Sequence, residues 1–333
     1  MIVRQATYSD IPSIMQFIDE NWKKGHILSV DREFFEWQYG TKQGLLNAIV
    51  AYDKEGILYG IKLYIPFNSY EVCDVMGSLW KTIRSEDVFL GMHLSEEFDR
   101  VNIHNFCGGC GLSKKAIKFS KLIGEFTGTM KHYYRLNDLE EYKIAIVNNK
   151  YIPEIRSGMD IELLPLPTIE MFKKWLGVDI LVTHTPVKDY GYIQHRYYEH
   201  PIYTYSVWGI RHGDLCRSVI ITREVEYKNA RVLKIVDFIG YDEDIIGISI
   251  ALDKLMKSKN YEYVDFYLYG IKDDIMKQSG MILREDNTNV IPNYFEPFVQ
   301  ENIDLNFSTN FREGFRIYRG DGDQDRPSVP RNK

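Results

Sequence analysis

Cysteine is scarce, with four in 333 residues, and no long apolar run occurs. So few thiols exclude a disulfide framework for a chain of this length, and Cys73 and Cys216 read as small buried hydrophobes. Cys107-Gly108-Gly109-Cys110 has the spacing of a zinc half-site or a redox pair. No second ligand pair accompanies it, so it reads as a glycine-rich turn and no metal is expected. No stretch approaches the roughly 18 apolar residues of a membrane span, and Met1 to Ala6 runs into strand-like sequence without a basic and apolar leader. A cytoplasmic chain is expected. Charge of one sign is lacking too: 41 basic residues face 47 acidic ones, interspersed, for a net −6. That excludes the basic stripe that binds nucleic acid by releasing counterions.

What is present is a globular composition, 44% hydrophobic and 26% charged, with 24 Tyr and 17 Phe. A chain of this size favours two cores over one. Residues 2–5 read as a strand, and Ser9-Asp10-Ile11-Pro12 as a capped helix start. Ile11, Ile14, Met15 and Ile18 then form one apolar stripe to about residue 22. A hairpin follows over 48–52 and 57–64 around Gly56, then a strand over 72–83. A helix marked by Leu90, Leu94 and Phe98, a strand over 101–106 and a helix over 113–124 complete the unit.

This order recurs. A hairpin over 203–210 and 215–222, a strand over 232–239, a helix on Ile248, Ala251, Leu252 and Leu255, a strand over 263–269 and a helix over 273–280 make a second copy. Hairpin glycines Gly56 and Gly213 lie 157 residues apart, helix-start glycines Gly91 and Gly247 156, and helix-end glycines Gly124 and Gly280 156. Two units are expected, at 1–145 and 146–325, with a flexible tail at 326–333. Lys114, Lys118 and Lys121 share a helix face and read as a solvated face or a phosphate contact. Gly320-Asp321-Gly322-Asp323-Gln324-Asp325-Arg326 begins like a calcium loop, but Arg326 stands where such a loop needs glycine.

Strand and helix, antiparallel hairpin, strand, loop and helix, then strand and glycine-ended helix: this order resembles the GNAT superfamily of acyl-CoA-dependent N-acyltransferases. Ile2-Val3-Arg4-Gln5-Ala6-Thr7-Tyr8-Ser9-Asp10-Ile11-Pro12 is similar to the family's opening. The layout is similar to tandem members such as mycothiol synthase and the Fem-type transferases. The resemblance implies an α/β (α+β) fold of two tandem domains, each a mixed, mostly antiparallel sheet flanked by helices. It also implies acyl transfer from acetyl-CoA or another acyl-CoA, or an acyl carrier protein, to the amine of a small acceptor, such as an activated amino sugar for surface polysaccharide. A Fem-like transferase using a charged tRNA and a non-catalytic paired binding protein are the alternatives.

The family's phosphate motif, Arg/Gln-x-x-Gly-x-Gly/Ala at a helix N-terminus, offers N–H groups to the coenzyme A pyrophosphate. Its counterparts are Val88-Phe89-Leu90-Gly91-Met92-His93 and Asp244-Ile245-Ile246-Gly247-Ile248-Ser249. With the fourth strand of each copy, the resemblance gives Trp80, Thr82, Arg84, Gly91, Phe238, Gly247 and Ser249 as cofactor-binding residues. For the chemistry, Asp237 is the expected base, with Glu224 and Glu226 weaker candidates. Ser120 and Met276 stand where the family has its acidic tyrosine, so Tyr269, Tyr267 or Tyr133 is the expected acid.

Overall fold

The computed structural model of the chain describes residues 1–154, 161–286 and 288–330. Its strands are β1 (Ile2–Thr7), β2 (Leu45–Tyr52), β3 (Leu58–Pro66), β4 (Cys73–Thr82), β5 (His104–Cys110), β6 (Phe126–Thr129), β7 (Lys131–Leu136), β8 (Ile161–Pro165), β9 (Ser206–His212), β10 (Leu215–Tyr227), β11 (Ala230–Gly240), β12 (Tyr261–Tyr269), β13 (Ile282–Leu283), β14 (Asn306–Thr309) and β15 (Ile317–Tyr318). The helices are α1 (Ile11–Asn21), α2 (Ile27–Val30), α3 (Arg32–Tyr39), α4 (Leu90–Val101), α5 (Lys114–Leu122), α6 (Ile169–Trp175), α7 (Val178–Leu181), α8 (Tyr190–Ile193), α9 (Ser249–Lys259) and α10 (Asp273–Gln278).

Two mixed sheets result, in an α/β architecture. One is ordered β1-β2-β3-β4-β5-β14-β6 and the other β13-β7-β12-β11-β10-β9-β8. The run from β1 through α1–α3, β2, β3, β4, α4, β5 and α5 to β6 is repeated by β8 through α6–α8, β9, β10, β11, α9, β12 and α10 to β13. In each sheet one pair of named strands is parallel, β4 with β5 and β11 with β12.

Strand alternation divides the first copy's core between two helical layers. Ala48 and Val50 of β2 join Ile11, Ile14 and Phe34 beneath α1–α3, whereas Ile49 and Ala51 join Leu90, Leu94 and Phe98 of α4. Helix α1 begins as its sequence demands: the Asp10 carboxylate accepts the Thr7 N–H at 2.8 Å and pairs with Arg4, and Pro12 occupies the first turn.

The copies exchange a strand. β7 follows β6 after one residue yet enters the second sheet between β12 and β13, while β14 enters the first sheet between β5 and β6. A cut at residue 145 therefore leaves each sheet without one strand. Buried side chains pin β7 in place: Arg135 reaches Asp253 at 2.6 Å and the Gly280 carbonyl at 2.9 Å, and His132 meets Asp265 at 2.8 Å.

Two expectations are corrected. The strand placed at 101–106 is β5, because α4 runs on to Val101 and Cys107-Gly108-Gly109-Cys110 is strand, not turn. Glycine suits this crowded strand, since a Cβ on Gly108 would lie 3.0 Å from the Phe106 ring. Three residues apart on a strand, the two thiols point to opposite faces, which explains why they form no chelating pair. Among the described residues no group of three or more His, Cys, Asp or Glu is placed to hold a metal. The second correction is the tail: Ser328 accepts the Ile27 N–H at 3.1 Å and donates its own to Glu296 at 3.1 Å, so the chain is held to residue 328 at least. Residues 331–333 lie outside those described. Among the described residues no helix is long and apolar enough to cross a membrane.

Candidate active site

Parallel neighbours β4 and β5 pair from Cys73–His104 to Gly77–Gly109 and then separate, leaving residues 78–82 of β4 without a partner on that side. A register shift between Leu63 and Tyr64 of β3 places a bulge at Ser78, where the parting begins. Strands β11 and β12 likewise pair as far as Ile235–Phe266 and then part. Each copy thus has a V-shaped opening at its centre.

The second opening is filled by the chain itself. β15 pairs with β12 through Tyr318–Leu268 and Ile317–Tyr269, and the next residues bridge the gap: Arg319 N–H donates to Tyr267 O at 3.3 Å and Gly320 N–H to Val236 O at 2.6 Å. What remains is a cavity of about 20 Å³ among Leu181, His184, Lys188, Phe238, Arg316 and Tyr318. That is room for about one water, far below the roughly 300–1,000 Å³ of a small-molecule site. Gly320 fits because it has no side chain; a Cβ would lie 2.6 Å from the Tyr197 hydroxyl and 2.8 Å from Val236 O. Gly320→Ala is expected to lower stability by about 1–3 kcal/mol, the range for overpacking. Thermal unfolding reads this, and an unchanged melting temperature would show that the plug is loose.

The residues singled out in the second copy sit around this plug. The buried Asp237 carboxylate is fully engaged: Lys188 Nζ lies 2.6 Å away, and the Tyr197 hydroxyl and Phe238 N–H donate at 2.6 and 2.8 Å. Phe238 is buried against the cavity. Gly247 follows a turn carrying Asp242, Glu243 and Asp244, of which Asp242 pairs with Arg316 at 2.6 Å and Asp244 with Arg217 at 2.8 Å. Ser249 is buried, and its Cβ lies 2.7 Å from where a Cβ on Gly280 would stand. Tyr267 donates to Ile303 O at 2.8 Å and stacks on His132, Tyr269 stacks on Phe315, and Tyr133 donates to Asp273 at 2.6 Å. Burial raises the pKa of Tyr133 and of Tyr267 further above that of a free phenol, so neither is a ready acid. Glu224 accepts from Tyr261 at 2.6 Å.

Asp321 completes the second cluster, 2.6 Å from Lys188. Burial would lower the Lys188 pKa, but Asp237 and Asp321 raise it above the ordinary value. Burial, with Lys188 opposing and Asp237 assisting, lifts Asp321 from 3.8 to about 6. Between about pH 4 and 6 the folded chain therefore keeps a proton that the unfolded chain has released. Stability falls as pH rises through that window and levels above it. Asp321→Asn is expected to remove this slope in urea titrations between pH 4 and 7; a parallel pH dependence in variant and wild type would contradict the placement.

The first opening has two distinct faces. Toward α4 and α5 stand Trp80 and Lys62, paired across β3 and β4 with the Lys62 amine 4.6 Å from the indole centroid. The indole lies 3.7 Å from where a Cβ on Gly91 would stand and 5.2 Å from the Phe119 centroid, so it spans the slot between the two helices. Thr82 pairs with Gly60, and Arg84 is exposed just beyond β4. Toward α1–α3, the Ser78 hydroxyl meets that of Tyr39 at 2.9 Å.

On this second face runs the segment missed as a functional element, residues 322–326. Gly322 packs against Met76, Gln324 donates to Cys110 O at 3.3 Å, and Tyr294 donates to Gln324 at 3.2 Å. The segment thus crosses from β4 to β5 where they part. Asp323 is buried here with Arg326 at 2.5 Å, and its charge acts on both Tyr39 and Cys110. Burial raises its carboxyl pKa from the ordinary value against the pull of Arg326. Asp325 anchors the segment: Arg223 grips it with bonds of 2.9 and 2.7 Å, Arg319 lies at 3.1 Å, and Tyr205 donates at 2.9 Å.

Solved structures share this architecture. A GCN5-related N-acetyltransferase from Anabaena variabilis superposes with a TM-score of 0.53 at 11% identity, covering 92% of this chain and 72% of that one. The fold is the GNAT fold, built twice. An Enterococcus faecalis protein described as a probable N-acyltransferase gives 0.52 at 9% identity, over 92% of this chain and 71% of that one. The glucosamine N-acetyltransferase region of a fungal multi-domain β-N-acetylglucosaminidase gives 0.50 at 13%, over 92% and 38%. No family model and no curated protein sequence matches the chain. The tandem GNAT fold is thus carried here by a sequence far from these relatives, with one of its two central openings closed from within.

Proposed function

We propose that the chain is an N-acyltransferase that works through its first copy, the second serving as the scaffold that delivers the C-terminal segment. A thioester arm enters between β4 and β5 from the α4 and α5 face, past Trp80, and an amine approaches from the α1–α3 face. The carbonyl oxygen meets backbone N–H groups of residues 78–82, which have no partner strand there. Asp323 accepts the proton of the attacking amine, a task suited to a carboxylate whose pKa is raised by burial. The nitrogen lone pair adds to the thioester carbonyl, the C–S bond breaks, and the arm leaves as a thiolate that takes up a proton from water as the amide forms, while Asp323 returns its proton to solvent.

The observation that carries this reading is the crossing of residues 322–326 over the first opening while residues 317–320 fill the second. A small polar amine, such as an amino sugar, matches the polar groups of the acceptor face, the buried Asp323 and Tyr39 and the half-buried Ser78. The test is thiol release from acetyl-CoA, longer acyl-CoAs, acyl-pantetheine and an acylated carrier protein against a panel of free and nucleotide-linked amino sugars. At least one pair should give acceptor-dependent release that depends on Asp323. Silence across the panel would overturn the proposal.

A further inference from the structure

We infer that the acyl donor is presented by a small acidic carrier protein on a phosphopantetheine arm, docking on the α4 and α5 rim of the first opening. This rests on the reading just given and names its donor. At the helix end that would seat a nucleotide diphosphate, four N–H groups already have acceptors. At the start of α4 the Phe89 N–H donates to the Asp87 carboxylate at 3.0 Å and Leu90 N–H to Asp87 O at 3.4 Å. Met92 and His93 N–H both donate to Phe89 O, at 2.8 and 3.1 Å. A fixed carboxylate thus stands at the entry to α4, on the side facing Val3, with His93 2.9 Å from its other oxygen, and its charge opposes a diphosphate at that helix end. Removing the diphosphate removes much of the binding energy of a free nucleotide donor, so another surface must supply it.

The rim is built to do so. Val88 is 83% exposed, Phe89 59%, Met92 43% and Trp80 39%, an apolar cluster around the mouth. Beside it, α5 carries four exposed lysines, Lys114, Lys115, Lys118 and Lys121, and no acid. Lys115 lies one turn before Phe119, the residue that meets Trp80, so its ammonium is on the mouth side. Glu86 is the exposed acid of the adjoining loop. An apolar centre with a basic flank complements an acidic helical partner, which would gain hydrophobic burial at the centre and steering at the edge. Such a carrier needs only one phosphate seated, and Arg84 at the rim can meet it.

The test compares binding of acetyl-carrier protein, acetyl-CoA and acetyl-pantetheine to the full chain by calorimetry. The carrier is expected to bind at least tenfold more tightly than acetyl-CoA. Binding should weaken with salt, and in Lys115→Glu/Lys118→Glu it should weaken at least tenfold while acetyl-pantetheine binding is unchanged. Acetyl-CoA binding as tightly as the carrier, or a charge reversal without effect on the carrier, overturns the inference and leaves the acyltransferase reading standing. If none of the three binds, both fall.

Discussion

Asp323→Asn is expected to lower the acyl-transfer rate by about 10²- to 10⁴-fold, the usual range for loss of a general base. The substitution keeps shape but takes away the charge that Arg326 meets at 2.5 Å, so the melting temperature should fall, whereas acyl-pantetheine binding to the folded chain should stay near wild type. The effect belongs in kcat rather than KM, since the carboxylate matters only as the amine loses its proton. A pH profile adds an independent reading. With its pKa raised by burial, Asp323 is protonated and idle at low pH, so wild-type activity climbs as pH rises through that pKa, and the climb is absent in the variant. A variant retaining half of wild-type kcat would remove Asp323 from the chemistry.

Asp325→Ala is expected to be the most destabilising single change, at about 3–5 kcal/mol, the range for breaking a buried ion pair. Arg319 and the Arg196 that donates to Asp325 O at 2.7 Å are buried and Arg223 is half-buried, and the substitution leaves two guanidinium groups without their carboxylate. Burial works against the Asp325 charge, and the three arginines overcome it, holding its pKa far below the ordinary carboxylate range. Its stabilisation is therefore complete above the unfolded pKa near 4 and lost as pH falls toward the folded value. The gap between wild type and variant should narrow in acid. Urea unfolding at pH 7 and pH 3 measures both; equal stability at pH 7 would show that the arginines find other partners.

The duplication was legible because it rests on local patterning. Apolar stripes such as Ile11, Ile14 and Ile18, and turn glycines such as Gly56 and Gly213, are set by residues close in sequence, so the element order could be read directly. The strand exchange was not, because β7 reads equally well as the closing strand of either sheet, and only long-range pairing to Phe266 and Asp265 decides between them. The glycines of β5 misled for a related reason: they answer to Phe106 and Met76 in a crowded sheet, not to a turn.

At the candidate site the openings followed from the fold, but their contents did not. Asp237 was singled out by its place on the fourth strand of the second copy, and the structure gives it Lys188 and Tyr197 as partners. The signal for the missed segment was its composition. Asp321, Asp323 and Asp325 alternate with Gly322 and Gln324, a pattern that resembled a calcium loop. The segment is instead a run of turns, with Gly322 at φ 63°, and the turns send the carboxylates to separate partners, here Lys188, Arg326 and Arg223.

The most direct test is a structure of the full chain with a non-hydrolysable thioether analogue of acyl-pantetheine. The arm should lie between residues 78–82 of β4 and β5, its acyl carbon facing Asp323, with β15 still seated against β12. An arm found between β11 and β12, with residues 317–320 displaced, would contradict the assignment of the working site to the first copy.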